Sequence, residues 1–355
     1  MAPDVATFRT VIDFPAHLPT SRIADPMDAP PKRWGVLAPG RIAGSFVDAL
    51  ARCTRQRLIA VGSRSAERAQ AFATIHGADR AYSSYEQLVA DPEVDIVYVA
   101  SPHSEHAAQA LMAVGAGKPV VVEKPFTRNA EEAGRVARAA RSAGVFAMEA
   151  MWTRFLPQTD VIRQLLADGA LGEVVTVLAD HGQIFEPDPT GRLFNPALAG
   201  GALLDLGVYP ISFASFVLGE PDSVVAAGSL TDTGVDAQVS MVLTSGRAQA
   251  CLNTTLLAKT PTTATISGTR ASLECAGAFY APGVLSVTAN DGRRLIRQAD
   301  PITGHLGMSF EAAHAATLIA EGATESPLMP LEETISVLRT IDGSRRQVGV
   351  RFPGE

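Results

Sequence analysis

The chain has 355 residues, 46% of them hydrophobic and 19% charged, with a formal net charge of −7. That length suits two domains of ordinary size, and the composition is that of a globular protein rather than a fibre or a disordered chain. Without a run of Lys or Arg there is nothing for a nucleic-acid backbone to bind, and no uninterrupted apolar stretch reaches the ~18 residues of a bilayer span, so neither nucleic acid nor membrane is an expected partner.

Residues 1–33 mix Asp4, Asp13, Asp25 and Asp28 with several prolines and lack the basic start and apolar core of an export signal. They read as an extended arm, either disordered or lying across another subunit. From Trp34 short apolar runs alternate with Ala-rich helical stretches. Strands are expected at Trp34–Ala38, Leu58–Gly62, Val94–Ala100, Pro119–Val122 and Phe146–Met148. Helices are expected at Ile42–Cys53, from Ser65 as N-cap to His76, at Ser104–Gly115 and at Asn129–Ala143. This alternation predicts an α/β domain over 34–153 with a doubly wound parallel sheet.

After Arg154 the rhythm changes. One helix, Gln158–Asp168, precedes strand candidates Val174–Ile184, Ser223–Leu230, Ala237–Leu243, Ala248–Leu256, Thr262–Ser267, Ser272–Ala276 and Val284–Ala289. Short turns such as Ser245-Gly246 predict a large, mostly antiparallel sheet. Helices Ser309–Glu321 and Leu331–Val348 close a second, α+β domain over 154–355. The three cysteines, Cys53, Cys251 and Cys275, are odd in number and far apart. Neither a disulfide framework nor a metal site is expected, and a reducing, cytoplasmic setting fits.

Residues with chemistry gather at predicted strand ends. Ala38, Pro39, Gly40, Arg41 and Ile42 join the first strand to the first helix, where a dinucleotide pyrophosphate would meet backbone N–H groups. Of the three glycines in the usual dinucleotide fingerprint only Gly40 remains, so the segment reads either as that site or as a tight turn. The second strand ends in Ser63 and Arg64, with Arg68 one helical turn on, where NAD-binding sites carry an acid. A hydroxyl and guanidinium there would bind a 2′-phosphate, so NADP is expected over NAD. Ser101, Pro102, His103 and His106 follow the third strand, and Glu123, Lys124 and Pro125 follow the fourth. At the sheet's carboxyl edge these face the crevice; otherwise they are helix-cap and loop residues. Asp205 and Tyr209 are four apart, on one face of a helix. Tyr209 is either an acid/base with Lys124 beside it or a core aromatic.

Taken together, Ala38–Ala43, Ser101–His106, Glu123–Pro125, Glu149–Pro157 and Gly200–Pro210 resemble the glucose–fructose oxidoreductase/inositol dehydrogenase (Gfo/Idh/MocA) family, in the branch with dihydrodiol and NADP-dependent xylose dehydrogenases. The resemblance spans about Trp34–Phe352. It implies a Rossmann domain and an open sheet used for subunit contacts, hence a homodimer, and a cis bond between Lys124 and Pro125. It implies Trp152 and Arg154 at the nicotinamide, and Arg154, Phe155, His181, Asp205 and Tyr209 at the substrate. The activity expected is hydride transfer between NADP and a sugar or polyol such as D-xylose or D-glucose. Lys124 would lower the Tyr209 pKa so that the phenol can act as base, and Asp205 would orient Lys124 or the substrate. A trans-dihydrodiol, ketose or dicarbonyl is the alternative substrate. A non-catalytic NADP sensor and direct sugar-to-sugar transfer with a retained cofactor are the alternative functions.

Overall fold

The computed structural model describes residues 14–355. The first half comprises β1 (Arg33–Leu37), α1 (Arg41–Cys53), β2 (Arg57–Gly62), α2 (Ala66–His76), β3 (Arg80–Tyr82), α3 (Tyr85–Val89), β4 (Ile96–Val99), α4 (His106–Gly115), β5 (Val120–Glu123), α5 (Ala130–Ala143) and β6 (Ala147–Ala150). All six strands are parallel, in the order β3-β2-β1-β4-β5-β6. This is a Rossmann sheet, and the order reverses between β1 and β4, which opens a crevice at the strands' carboxyl ends. Ile96–Val99 and Val120–Val122 are wholly buried, as strands covered on both faces must be. Phe46 of α1 stacks on Tyr98 of β4 at 3.8 Å and meets Trp34 of β1 edge-on, which fixes α1 over the crevice. Ser65 caps α2 by accepting from the Arg68 N–H at 3.2 Å. The sequence reading lacks β3 and α3, since three and five residues are too few to display a period.

A 3₁₀ turn, Trp152–Phe155, and α6 (Pro157–Ala167) lead to the second sheet. It contains β7 (Val174–Gly182), β8 (Ser223–Leu230), β9 (Asp236–Ser245), β10 (Ala248–Thr255), β11 (Ala264–Gly268), β12 (Ala271–Cys275), β13 (Leu285–Ala289) and β14 (Arg294–Arg297). The order is β14-β13-β12-β11-β7-β10-β9-β8. Every pairing is antiparallel except β7 with β10; after β7 the chain passes through a long loop, a π-helical turn (Leu203–Gly207) and α7 (Val208–Leu218) to β8 at the sheet edge, and returns through β9 to β10. One sheet face packs against α7 and α9 (Leu331–Val348). On the other, Leu178, Val225 and Val242 are exposed. α8 (Met308–Ala320) returns to α1, and α9 packs on α5, so the second half is fastened to the first.

Pro196–Leu218 has the length and hydropathy of a bilayer span, yet 83% of its most apolar 18-residue window is buried inside the protein. Its apolar residues fill the core around Asp205, the acid that interrupts the run. The described part of the arm lies across its own chain. The Arg22 guanidinium pairs with Asp160 of α6 at 2.7 Å, and Gln164 donates to the Thr20 carbonyl at 2.9 Å. Residues 1–13 of the arm lie outside the described residues.

Gly200 and Gly201 precede the π turn because the backbone there leaves no room for a side chain. A Cβ at Gly200 would collide with the Leu193 carbonyl oxygen and come within 2.8 Å of the Arg192 one. Gly201 has φ +111° and faces the Asp236 carboxylate. Gly200→Ala should therefore lower unfolding stability by about 1–3 kcal/mol, as read from a urea midpoint. An unchanged midpoint would remove this account of the motif.

Candidate active site

A cavity of about 790 Å³ runs from the carboxyl ends of β1 and β2 to the end of β7 and the π turn. Among the sequence-predicted residues, Ala38, Pro39, Gly40, Arg41, Ile42, Ser63, Arg64, Arg68, Ser101, Pro102, His103, His106, Glu123, Lys124, Trp152, His181, Asp205 and Tyr209 line it. Pro125, Arg154 and Phe155 do not.

At one end Ala38 takes φ +62°, a left-handed conformation that ordinarily favours glycine. It turns the chain so that Gly40 opens α1 without any side-chain cap, leaving first-turn N–H groups directed at the cavity. A Cβ at Gly40 would meet only the Ala38 carbonyl oxygen, at 3.9 Å. Nothing in the protein itself requires glycine here, so the requirement fits a pyrophosphate lying against the backbone. The Arg68 guanidinium donates to the Pro39 carbonyl at 3.2 Å, tying α2 to this turn. Arg41, Arg64, Arg68 and Tyr85 line this end with no carboxylate among them. The donor set suits a dinucleotide: helix N–H groups for diphosphate and guanidinium groups for further negative charge.

At the other end the Lys124-Pro125 bond is cis. Lys124 Nζ donates to the Asp205 main-chain oxygen at 2.8 Å and lies 3.4 Å from its Oδ1. It also stands 5.0 Å over the Tyr209 ring. Arg192 Nη1 reaches the same Oδ1 at 2.9 Å. Burial opposes the charge on Asp205, but Lys124 and Arg192 outweigh it and hold its pKa far below the ordinary value. The site therefore contains a buried, ionised acid. His103 donates from Nδ1 to the Ala199 carbonyl at 3.0 Å, and burial drives its pKa down to about 3. Its contact with Asp205, at 3.8 Å, is thus not an ion pair. Burial likewise takes His181 to about 4. His106 sits between the Pro125 and Ser101 carbonyls, each 2.8 Å from a ring nitrogen, and joins the loops after β4 and β5.

The Tyr209 hydroxyl accepts a hydrogen bond from Trp152 Nε1 at 3.0 Å. Burial first, and then the neighbouring Glu123, push the Tyr209 pKa well above its ordinary value. This overturns the expectation that Lys124 would depress it: the ammonium lies over the ring face, not beside the hydroxyl. Tyr209 is a neutral phenol whose own proton is free, because its oxygen acts as acceptor toward Trp152. Tyr280 stacks on Tyr209 at 4.5 Å and lies tilted against His181 at 4.6 Å. With Trp152, Phe185 and His305 these rings wall the cavity. Tyr280, His305 and Tyr85 escaped the sequence reading, since lone residues in irregular segments or a five-residue helix carry no periodic or motif signal.

Arg154 is turned away from the cavity. It donates to the Ser212 carbonyl at 2.7 Å and to Glu333 at 2.6 Å, bridging α7 and α9. Phe155 is buried against His314 at 4.9 Å. The 3₁₀ turn accounts for Arg154: residues two apart on it face different sides, so Trp152 points inward and Arg154 outward. Behind Lys124, Glu311 and Glu149 are buried near Glu123; burial raises Glu149 to about 7, and burial with carboxylate repulsion holds Glu311 well above the ordinary carboxylate range. Among the described residues no group of three or more His, Cys, Asp or Glu is placed to hold a metal ion.

Residues 32–151 match the family described as "Oxidoreductase family, NAD-binding Rossmann fold", and residues 160–274 match the GFO/IDH/MocA C-terminal domain. The chain is 36% identical over 329 residues to trans-1,2-dihydrobenzene-1,2-diol dehydrogenase of Xenopus laevis, covering 90% of this chain and 99% of that one. Among solved structures it resembles the aldose-aldose oxidoreductase of Caulobacter crescentus complexed with glycerol, at 26% identity and TM-score 0.80 over 90% of this chain and 98% of that one. It also resembles a 3-ketoreductase of Actinomadura kijaniata in complex with TDP-benzene and NADP, at 26% identity and TM-score 0.75, with the same coverage. Gly40→Val should leave the thermal midpoint unchanged and weaken NADPH binding at least about tenfold, roughly 1.4 kcal/mol, by fluorescence titration. Unaltered binding would separate Gly40 from the cofactor.

Proposed function

This chain belongs to the GFO/IDH/MocA oxidoreductase family, and from that premise we propose that it is an NADP-dependent enzyme oxidising a ring alcohol, a cyclic trans-diol before an aldose. The observation that carries this reading is the neutral Tyr209 phenol, held by Trp152 at 3.0 Å within a wall of aromatic rings. Flat apolar walls suit an unsaturated ring, and few polar groups are needed to fix two hydroxyls. The relation to a dihydrodiol dehydrogenase over 90% of the chain supports the same choice. The aldose reading rests on Gln183, His181, Arg192 and Asp205, polar groups available to a sugar's extra hydroxyls.

Gly40, Arg41 and Ile42 would hold the diphosphate, and Ser63, Arg64 and Arg68 the 2′-phosphate. When bound, NADP supplies the hydride acceptor or donor. Lys124 has three N–H donors, of which two meet Asp205. The third is available to the reacting oxygen. Tyr209 as the neutral phenol delivers the proton to that oxygen in reduction, and in oxidation its phenolate form, a minor species at neutral pH, takes the proton up and becomes the phenol again. Asp205 fixes the ammonium. The three free cysteines fit a reducing compartment, and the reading carries a cytoplasmic location. It also carries a homodimer through the sheet face bearing Leu178, Val225 and Val242; monomers at sedimentation equilibrium would remove that part.

Absorbance assays with trans-1,2-dihydrobenzene-1,2-diol and with D-xylose should give turnover with NADP⁺, the diol having the higher kcat/KM, and a much lower kcat/KM with NAD⁺. Tyr209→Phe should cost about 10²–10⁴-fold in kcat while NADPH affinity stays near normal. No turnover with either alcohol, or near-normal turnover in that variant, overturns the reading. The pH dependence has a definite sign. Because the Tyr209 pKa is raised, the phenol keeps its proton through neutrality, so oxidation should accelerate from about pH 7 towards 10 while reduction holds. Oxidation that slows over that range contradicts Tyr209 as the proton acceptor.

A further inference from the structure

Asp205 Oδ1 is shared unequally. Arg192 approaches it at 2.9 Å, whereas Lys124 stands 3.4 Å away and makes its shorter bond, 2.8 Å, to the main-chain oxygen. We propose that Arg192 is a positioning residue for the reaction: it occupies the Asp205 carboxylate and so leaves the Lys124 ammonium poised over Tyr209, turned to the reacting oxygen. The inference rests on the reading that Lys124 and Tyr209 perform the chemistry.

The physical argument starts from what Asp205 would do alone. Its side chain is 6% exposed, and a buried carboxylate draws the nearest cation strongly, because attraction grows as water is excluded. His103, 3.8 Å away, is neutral and offers no compensating charge. With Arg192 removed, Lys124 is the sole cation left on that carboxylate. It would shorten its 3.4 Å contact with Oδ1 and draw away from its place 5.0 Å above the Tyr209 ring, turning its third N–H from the substrate oxygen.

The guanidinium is delivered by a loop with its own support. Leu193 and Phe194 pack with Phe185, Ala202, Leu206 and Leu256 in an apolar cluster separate from the main core. Backbone bonds tie this loop down, from the Phe185 N–H to the Leu256 carbonyl at 3.0 Å and from the Gly201 N–H to the Leu193 carbonyl at 2.8 Å. Gly200 permits the close packing of this segment over the Arg192 and Leu193 carbonyls. Arg192 is therefore placed by folding, with 44% of its side chain still in contact with solvent.

The test uses full-length Arg192→Ala and Arg192→Lys, assayed with the same diol and D-xylose, alongside Lys124→Met and Tyr209→Phe. Arg192→Ala should lose about 10- to 100-fold in kcat, as expected for a misplaced reacting group. Its KM should rise less, and NADPH affinity and thermal midpoint should stay near those of the parent. Millimolar guanidinium chloride should restore part of kcat in Arg192→Ala, with sodium chloride ineffective; Arg192→Lys should retain intermediate turnover. Parent-like kcat in Arg192→Ala while Lys124→Met and Tyr209→Phe are inactive overturns this inference alone. A loss of kcat that tracks a lowered midpoint and is not rescued also overturns it, assigning Arg192 to folding. Full turnover in Lys124→Met and Tyr209→Phe overturns the reading beneath it.

Discussion

Keeping a carboxylate ionised inside a protein is expensive unless its charge and lone pairs are met, and an unmatched one would take up a proton instead. Asp205 is 4% exposed and remains ionised because groups from separate parts of the chain converge on it. Lys124 comes from the end of β5 and Arg192 from the loop after β7. Asp205 itself sits on a π-helical turn, which shifts the following helix and sets Tyr209 where Trp152 can reach its hydroxyl. The Rossmann sheet and the second sheet meet at this ion cluster. Its geometry is thus a condition on the assembly of both.

The cofactor end depends on different physics. There the backbone supplies the donors, through an uncapped helix start, and long arginines supply the charge. Ala38 accepts a left-handed conformation to make that start possible. The Arg68 contact with the Pro39 carbonyl holds the same turn from the side of α2. The cavity consequently runs from a rim rich in arginine to a floor where Asp205 is balanced by Lys124 and Arg192. That polarity suits a ligand with its phosphates at one end and a neutral ring alcohol at the other.

Much of the site could be read from residue order because its parts sit at strand ends, which the alternation of strands and helices locates well. Lys124 at the end of β5 and Ser101–His106 after β4 are of this kind. Arg154 was misjudged because a 3₁₀ turn puts residues two apart on different faces, and nothing in its identity marks which face is inward. An arginine beside an apparent pocket serves equally well as a tie between buried helices, as the bonds to Ser212 and Glu333 show. The Tyr209 proton affinity was misjudged for another reason. Lys124 was assumed to meet the hydroxyl, whereas it lies over the ring, and burial and Glu123 then dominate.

By itself the amino-acid sequence determined the alternation of elements, the parallel first sheet, the mostly antiparallel second one, and the residue types available to bind and move protons. These are local matters, governed by periodicity, capping and turn chemistry over a few residues. Only the tertiary structure decided which way each side chain points and which charges share an oxygen. It joined Trp152 to Tyr209, brought Tyr280 against both Tyr209 and His181, and set Arg192 beside Lys124 on one carboxylate. Such pairings link residues dozens of positions apart. They depend on burial, and the same burial decides whether a phenol, an imidazole or a carboxylate carries its charge.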